Sequence, residues 1–198
     1  ITCTNPSEFK YIQSKVDESK TQVYILRNGI SNDKYRSLSQ YKYKDLEINK
    51  RLIVSYIGNI SIAQDLSTLI YSAEECQNVD FHLLGSGRDF NRIKSILKQL
   101  KLNNVTLHGR LPWSDVLHYY HMSNILYAQL DNNFSTAIPS KLYEYLSTGK
   151  YIIYGGEGEA KKLLKEFNNN KVIKPQNLNE LTATILYVIK QKLYLNVS

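Results

Sequence analysis

Cysteine is scarce: Cys3 and Cys76 are the only two in 198 residues. Two thiols without zinc-like spacing exclude a disulfide scaffold and argue against a structural metal. His118 and His121 form the one His-x-x-His pair, and no third ligand stands near them in the sequence, so no metal is expected. No apolar run reaches the length that spans a bilayer, and no leader pattern opens the chain. A soluble, cytoplasmic chain is expected. There is no internal repeat and no low-complexity tract. Dense runs of Lys or Arg are missing too, although 25 basic residues against 18 acidic ones leave a net charge of +7. Positive charge favours anionic partners such as nucleotides, nucleic acid or an acidic membrane surface. A dedicated nucleic-acid module concentrates its cations, and here they are scattered. Gly85-x-Gly87 lacks the third glycine and the placed acid of a dinucleotide fingerprint. There is no Gly-Lys-Ser/Thr loop, no serine elbow and no coherent carboxylate pair.

What the chain does have is alternation, over a length sufficient for one well-packed α/β domain. Ile1 to Thr4 reads as the end of a strand. Pro6 to about Val16 reads as a helix opened by Asn5, with Ser7 and Glu8 in its first turn. Gln22 to Leu26 reads as a strand ended by Asn28-Gly29, and residues 31–50, polar and weakly periodic, as a linker. Strands are then expected at Leu52–Ile57, Val79–Leu84, Val105–His108, Ile125–Leu130, Tyr151–Tyr154 and Lys171–Ile173. Helices are expected at Ile62–Cys76, Asp89–Leu100, Pro112–His121, Ala160–Phe167 and Leu178 to about Leu193, with one more opening at Pro139. Such alternation means a mostly parallel sheet with helices on both faces.

Gly58, Gly85 with Gly87, Gly109, and Gly155 with Gly156 each follow an expected strand. Ligands of an open parallel sheet bind beyond the carboxyl ends of its strands, where glycine permits close approach. Strand-to-helix turns also favour glycine without any ligand. Arg88 and Arg110 are placed either to face anionic ligand groups or to be solvated loop cations. The stretch Ile138–Gly149 reads as a helix with an open first turn. Pro139 fits the first helical position and Gly149 a left-handed stop. Ile138, Leu142, Tyr145 and Leu146 form one apolar stripe, with Ser140 and Glu144 on the opposite face and Lys141 beside them. Ile138 is a poor N-cap. The N–H groups of Ser140, Lys141 and Leu142 are therefore expected to lack a local acceptor, which an anion drawn by the dipole and Lys141 would supply. The alternative is a solvated amphipathic helix with Lys141 and Glu144 as a surface pair.

Four blocks, in order, resemble the second domain of family 4 (group 1) glycosyltransferases, especially the bacterial branch that builds surface polysaccharides. After Asn28-Gly29 they are Tyr56-Ile57-Gly58-Asn59-Ile60-Ser61-Ile62-Ala63-Gln64-Asp65-Leu66, Leu83-Leu84-Gly85-Ser86-Gly87, Asn104 to Leu111, and Pro139 to Lys150. The resemblance covers nearly the whole chain. It implies a Rossmann-like fold, one half of the two-domain GT-B architecture. Residues 1–30 would be the last strand–helix–strand segment of an N-terminal acceptor-binding domain, 31–50 the linker, and 51–198 the nucleotide-sugar-binding domain.

By position, the resemblance assigns Glu144 to the ribose hydroxyls, as the second glutamate of a Glu–seven residues–Glu motif. It assigns Ser140, Lys141 and Leu142 to the diphosphate, Arg110 and Leu111 to the base, and Gly58 and Asn59 to the first turn near the phosphates. Gly85, Gly87 and Arg88 complete the expected donor site. Thr136 replaces the first motif glutamate, the carboxylate that the resemblance implies near the donor sugar. Asn59, Gln64 and Asp65 stand where a basic pair usually grips the diphosphate, so phosphate binding is expected to lean on Lys141, Arg88 and helix N–H groups. No catalytic residue is assigned. The resemblance implies retaining transfer from a nucleotide diphosphate sugar, by family habit a UDP-sugar, without metal or other cofactor. The product would enter capsule, O-antigen or exopolysaccharide. Expected partners are the donor, the N-terminal acceptor domain and a lipid-linked acceptor at the inner face of the plasma membrane, with no nucleic acid. This chain alone is expected to be inactive. A sugar-nucleotide epimerase of GT-B architecture is the nearest enzyme alternative, and a non-catalytic nucleotide- or nucleic-acid-binding module the alternative from another class.

Overall fold

The computed structural model describes residues 1–39 and 51–195. The chain opens with β1 (Thr2–Cys3), α1 (Pro6–Gln13) and β2 (Tyr24–Ile25), the two strands forming a small parallel sheet. Asn5 caps α1 by accepting the Glu8 N–H. A helix, α2 (Asn32–Ser39), comes next.

The main sheet contains β3 (Leu52–Ile57), β4 (Val79–Leu84), β5 (Val105–Gly109), β6 (Ile125–Gln129), β7 (Tyr151–Gly155) and β8 (Asn170–Ile173). Between and after them run α3 (Ser67–Glu75), α4 (Phe90–Leu100), α5 (Trp113–Met122), α6 (Lys141–Ser147), α7 (Glu159–Leu164) and α8 (Leu178–Lys190). All six strands are parallel, in the order β5-β4-β3-β6-β7-β8. Strand periodicity sends Val54, Tyr56, Phe81, Leu83, Tyr127 and Ile153 to one face and Ile57, Leu84, Leu126, Ala128 and Ile152 to the other. Leu69, Ile70, Ile93, Leu181 and Ile185 of α3, α4 and α8 cover the first face. Tyr120, Leu142, Tyr145, Ala160 and Leu164 of α5, α6 and α7 cover the second. Strands covered on both sides read as unbroken apolar runs, which is why they stand out in the sequence.

Four expectations are corrected. The first part of the expected linker is α2, whose one buried residue, Leu38, joins the core with Tyr120, Leu142 and Tyr145. A helix this short is held by packing rather than propensity, so its polar sequence hides it. The rest of that expected linker, residues 40–50, lies outside the described residues. Second, the expected helix Ile62–Cys76 is broken: a 3-10 turn, Ile62–Gln64, ends at Asp65 in the left-handed region before α3 starts. Asp tolerates that conformation better than most residues. Third, α6 begins at Lys141 rather than Pro139, because Pro139 O takes the Leu142 N–H at 3.0 Å in a tighter turn. Fourth, α7 stops at Leu164 and α8 at Lys190, each short of its expected end.

The chain adds strands outward from β3 to β5 and then crosses back to β6, so the order reverses between β3 and β6. These two strands pair only at Val54–Ile125 and Ser55–Leu126, while β3 and β4 pair along their whole length. Beyond Ser55 the Tyr145 hydroxyl bridges the gap. It accepts the Ile57 N–H at 2.9 Å and lies 3.1 Å from Tyr127 O and 3.2 Å from Ile57 O. Tyr145→Phe would strand these buried backbone groups and is expected to cost about 1–3 kcal/mol of unfolding free energy. Urea denaturation should show a lower midpoint with an unchanged slope; an unmoved midpoint would show that the hydroxyl bridges nothing of consequence.

Candidate functional site

Three loops meet beyond the carboxyl ends of β3, β4 and β5, and backbone bonds stitch them together. Gly58 N–H donates to Leu84 O and Ile60 N–H to Ser86 O, each at 2.9 Å, and Gly85 N–H donates to Gly109 O at 2.7 Å. Gly85 has φ +137°, and an added Cβ would stand 1.8 Å from Gly58 O, so only glycine allows the loops to close this tightly. Between them lies a cleft of about 330 Å³ lined by Gly58, Asn59, Gly85, Ser86, Arg110, Leu111 and Val116, with Ile57 and Leu84 at its floor. Among the described residues, no acceptor takes the N–H groups of Asn59 or Ser86. The cleft lining thus combines the Arg110 guanidinium with apolar side chains and with two residues whose backbone N–H groups have no protein acceptor. That combination suits a planar apolar ring joined to an anionic group.

Lys141 is buried rather than solvent-facing. Its ammonium reaches under the first turn, donates to the Tyr56 hydroxyl and to Gln64 Oε1 at 2.8 Å, and lies 3.9 Å from the Tyr56 ring centre. Tyr56 in turn donates to Asn59 O at 2.5 Å. Gly58 is favoured here by its φ of +151°, and an added Cβ, 2.7 Å from Lys141 Cε, would also make the lysine shift. Loss of water lowers the Lys141 pKa to about 7, with Glu144 pulling the other way. Asp65, beside the same turn, is bridged by Arg92 at 2.8 Å, and Arg92 also holds Asp89 at 2.6 Å. Its negative charge is therefore compensated at the very place where the resemblance leads one to expect a cation.

Glu144 is held on both oxygens. Lys34 Nζ of α2 lies 2.5 Å from Oε1, and the Tyr120 hydroxyl of α5 donates to Oε2 at 2.6 Å. Burial, followed by the neighbouring Tyr145 and Glu144, pushes the Tyr120 phenol well above its ordinary pKa, so it remains a donor. Val116 and Tyr120 are four apart on one face of α5; Val116 walls the cleft and Tyr120 leads to Glu144. Glu144 thus stands beside the cleft, one helical turn further along α5.

The expected residues are only partly brought together. Gly58, Asn59, Gly85, Arg110 and Leu111 line the cleft. Lys141 lies beneath its first turn, and Gly87 packs against Ile60 and Asn59. Arg88 is exposed and does not line the cleft. Thr136 and Ser140 are exposed, and Thr136 O accepts from Asn5 Nδ2 at 2.8 Å. The open first turn is corrected at one position: the Leu142 N–H is bonded to Pro139 O. The surface pair of Lys141 with Glu144 does not form, because each has other partners. Lys34, Tyr56, Tyr120 and Val116 were not expected at the site. Nothing in the sequence marks Lys34, and the others read as core.

Comparison with solved structures gives the same fold at low identity. Anabaena HepE, solved in complex with UDP and glucose, matches with a TM-score of 0.70 at 20% identity, over 95% of this chain and 52% of that one. Sucrose-phosphate synthase from Thermosynechococcus elongatus matches with a TM-score of 0.72 at 16% identity, over 99% and 50%. The lipopolysaccharide outer core galactosyltransferase WaaB, in its apo form, matches with a TM-score of 0.70 at 16% identity, over 97% and 53%. The chain spans about half the length of these proteins. No curated protein matches its sequence. Residues 40–197, with the parallel sheet and its cleft, match the model of glycosyl transferases group 1, and the chain belongs to that family.

Proposed function

We propose that the chain is the donor-binding C-terminal half of a retaining bacterial glycosyltransferase of family 4, built on the GT-B plan and using a UDP-sugar. The observation that carries this reading is the cleft at the carboxyl edge of the sheet, lined by Asn59, Ser86 and Arg110, with Glu144 reached through Tyr120 one turn along α5 from the lining residue Val116. The UDP bound in the Anabaena neighbour supports the choice of nucleotide. In this reading the base lies against Leu111 and Val116, the ribose diol bonds Glu144, and the diphosphate meets the first turn. Charge developing on the leaving diphosphate is stabilised by Arg110, the loop N–H groups and Lys141 beneath them. Residues 1–30 complete an acceptor domain, and the acceptor is a lipid-linked saccharide at the cytoplasmic face of the membrane, destined for capsule, O-antigen or exopolysaccharide. Thr136 in place of a carboxylate leaves the donor sugar with hydroxyl rather than charged contacts at that position.

This chain by itself should bind UDP but transfer no sugar. Orientation of two substrates supplies about 7–11 kcal/mol of a transfer barrier at best, and half a cleft holds only one of them. Affinity on the order of 0.1–1 mM, about 4–5.5 kcal/mol, is expected. NMR titration should shift Gly58, Arg110 and Glu144; shifts elsewhere, or turnover by this chain alone, would refute the reading. Glu144→Ala should weaken UDP binding by about 1–3 kcal/mol in calorimetry while the fold survives. Equal affinity would remove Glu144 from the site. The full-length enzyme should float with anionic liposomes at low salt and detach at high salt. Absence of flotation at both would remove the membrane from the proposal.

A further inference from the structure

The ion pair between Lys34 and Glu144 joins the cleft to a segment outside the Rossmann-like sheet. α2 packs on α5 and α6 through Leu38 and lays its ammonium on Glu144 Oε1, with the Trp113 ring 5.0 Å away. Tyr120 is fully buried and takes the inner oxygen. The Lys34 side chain is 40% exposed while Tyr120 is buried, so the Lys34 side of the carboxylate is the one nearer solvent. A ribose diol approaching along the 113/116/120 face of α5 therefore meets the ammonium first. Both groups cannot take the same face of Oε1. The tether is light: among the residues of α2, Leu38 alone is buried.

We propose that Lys34 is a built-in competitor for the nucleotide, displaced from Glu144 when the ribose of a nucleoside diphosphate binds. The inference rests on the reading of the cleft as a nucleotide site. It makes the Lys34–Glu144 pair a latch that opens on donor binding while Leu38 keeps α2 packed, so that any partner or modification holding the ammonium on Glu144 lowers donor affinity. The occupant that Lys34 opposes is the ribose diol, not the diphosphate. Removing its charge should consequently help ribose-bearing ligands and do nothing for phosphate alone.

The test is calorimetry of wild type, Lys34→Met and Lys34→Arg with uridine diphosphate, uridine monophosphate and inorganic pyrophosphate. Lys34→Met should bind both uridine nucleotides about two- to fivefold more tightly, the range that a part-exposed ion pair withholds. Pyrophosphate affinity should stay level or fall, and Lys34→Arg, which keeps the pair, should behave as wild type. If wild type binds uridine diphosphate and Lys34→Met binds it equally or more weakly, the competitor role is overturned and the cleft reading stands. Tighter pyrophosphate binding by Lys34→Met would also overturn it. If neither protein binds any uridine nucleotide, the cleft reading falls and the inference with it. NMR of the Leu38 methyls in Lys34→Met distinguishes a freed Glu144 from a lost α2: tightening with Leu38 still packed supports competition at the carboxylate, and tightening only after Leu38 leaves the core overturns it.

Discussion

The parting of β3 from β6 is the constraint on which the rest of the molecule depends. Two strands that pair at only two positions leave backbone groups that must find other partners in a buried place. One phenol does this, since the Tyr145 hydroxyl meets Ile57 and Tyr127 across the gap. The cleft opens beside this parting, beyond the carboxyl ends of β3, β4 and β5, where the strand order reverses. α6 carries the wedge, and the same helix carries Lys141 and Glu144 to either side of it. Packing and site are thus fixed by one element.

Charge around the first turn follows a similar economy of placement. Positions where the family resemblance leads one to expect cations hold Asn59, Gln64 and Asp65. Asp65 is neutralised by Arg92, and Lys141 rises from below to meet Gln64 and Tyr56. Loss of water around the buried ammonium lowers its pKa to about 7, and Glu144 offsets only part of that. An anion above the turn would favour the charged form, because the two charges would interact across a few ångströms of low-dielectric loop.

Glu144 shows the opposite arrangement, a carboxylate with both oxygens already served. Such saturation orders the side chain and also raises the cost of giving it a new partner, since a ligand must match the bonds it displaces. Its outer partner comes from α2, an element outside the parallel sheet.

The sequence by itself determined the fold class, the strands and nearly every helix. Strands buried on both faces must be apolar throughout, and the turns between them need glycine, so local pattern and global architecture agree. The family blocks located Gly58, Asn59, Gly85, Arg110 and Leu111, because backbone approach at a strand end is encoded in a few adjacent residues. Only the tertiary structure decided where long side chains point. Lys141 and Glu144 look like an exposed pair along one helix, but the partners that separate them, Tyr56, Gln64, Lys34 and Tyr120, lie 24 to 110 residues away. α2 escaped notice for the same reason: its single anchor, Leu38, gains meaning only when the pocket between α5 and α6 exists to receive it. Periodicity records which residues avoid water; which polar group answers another is settled by contacts that no local pattern carries.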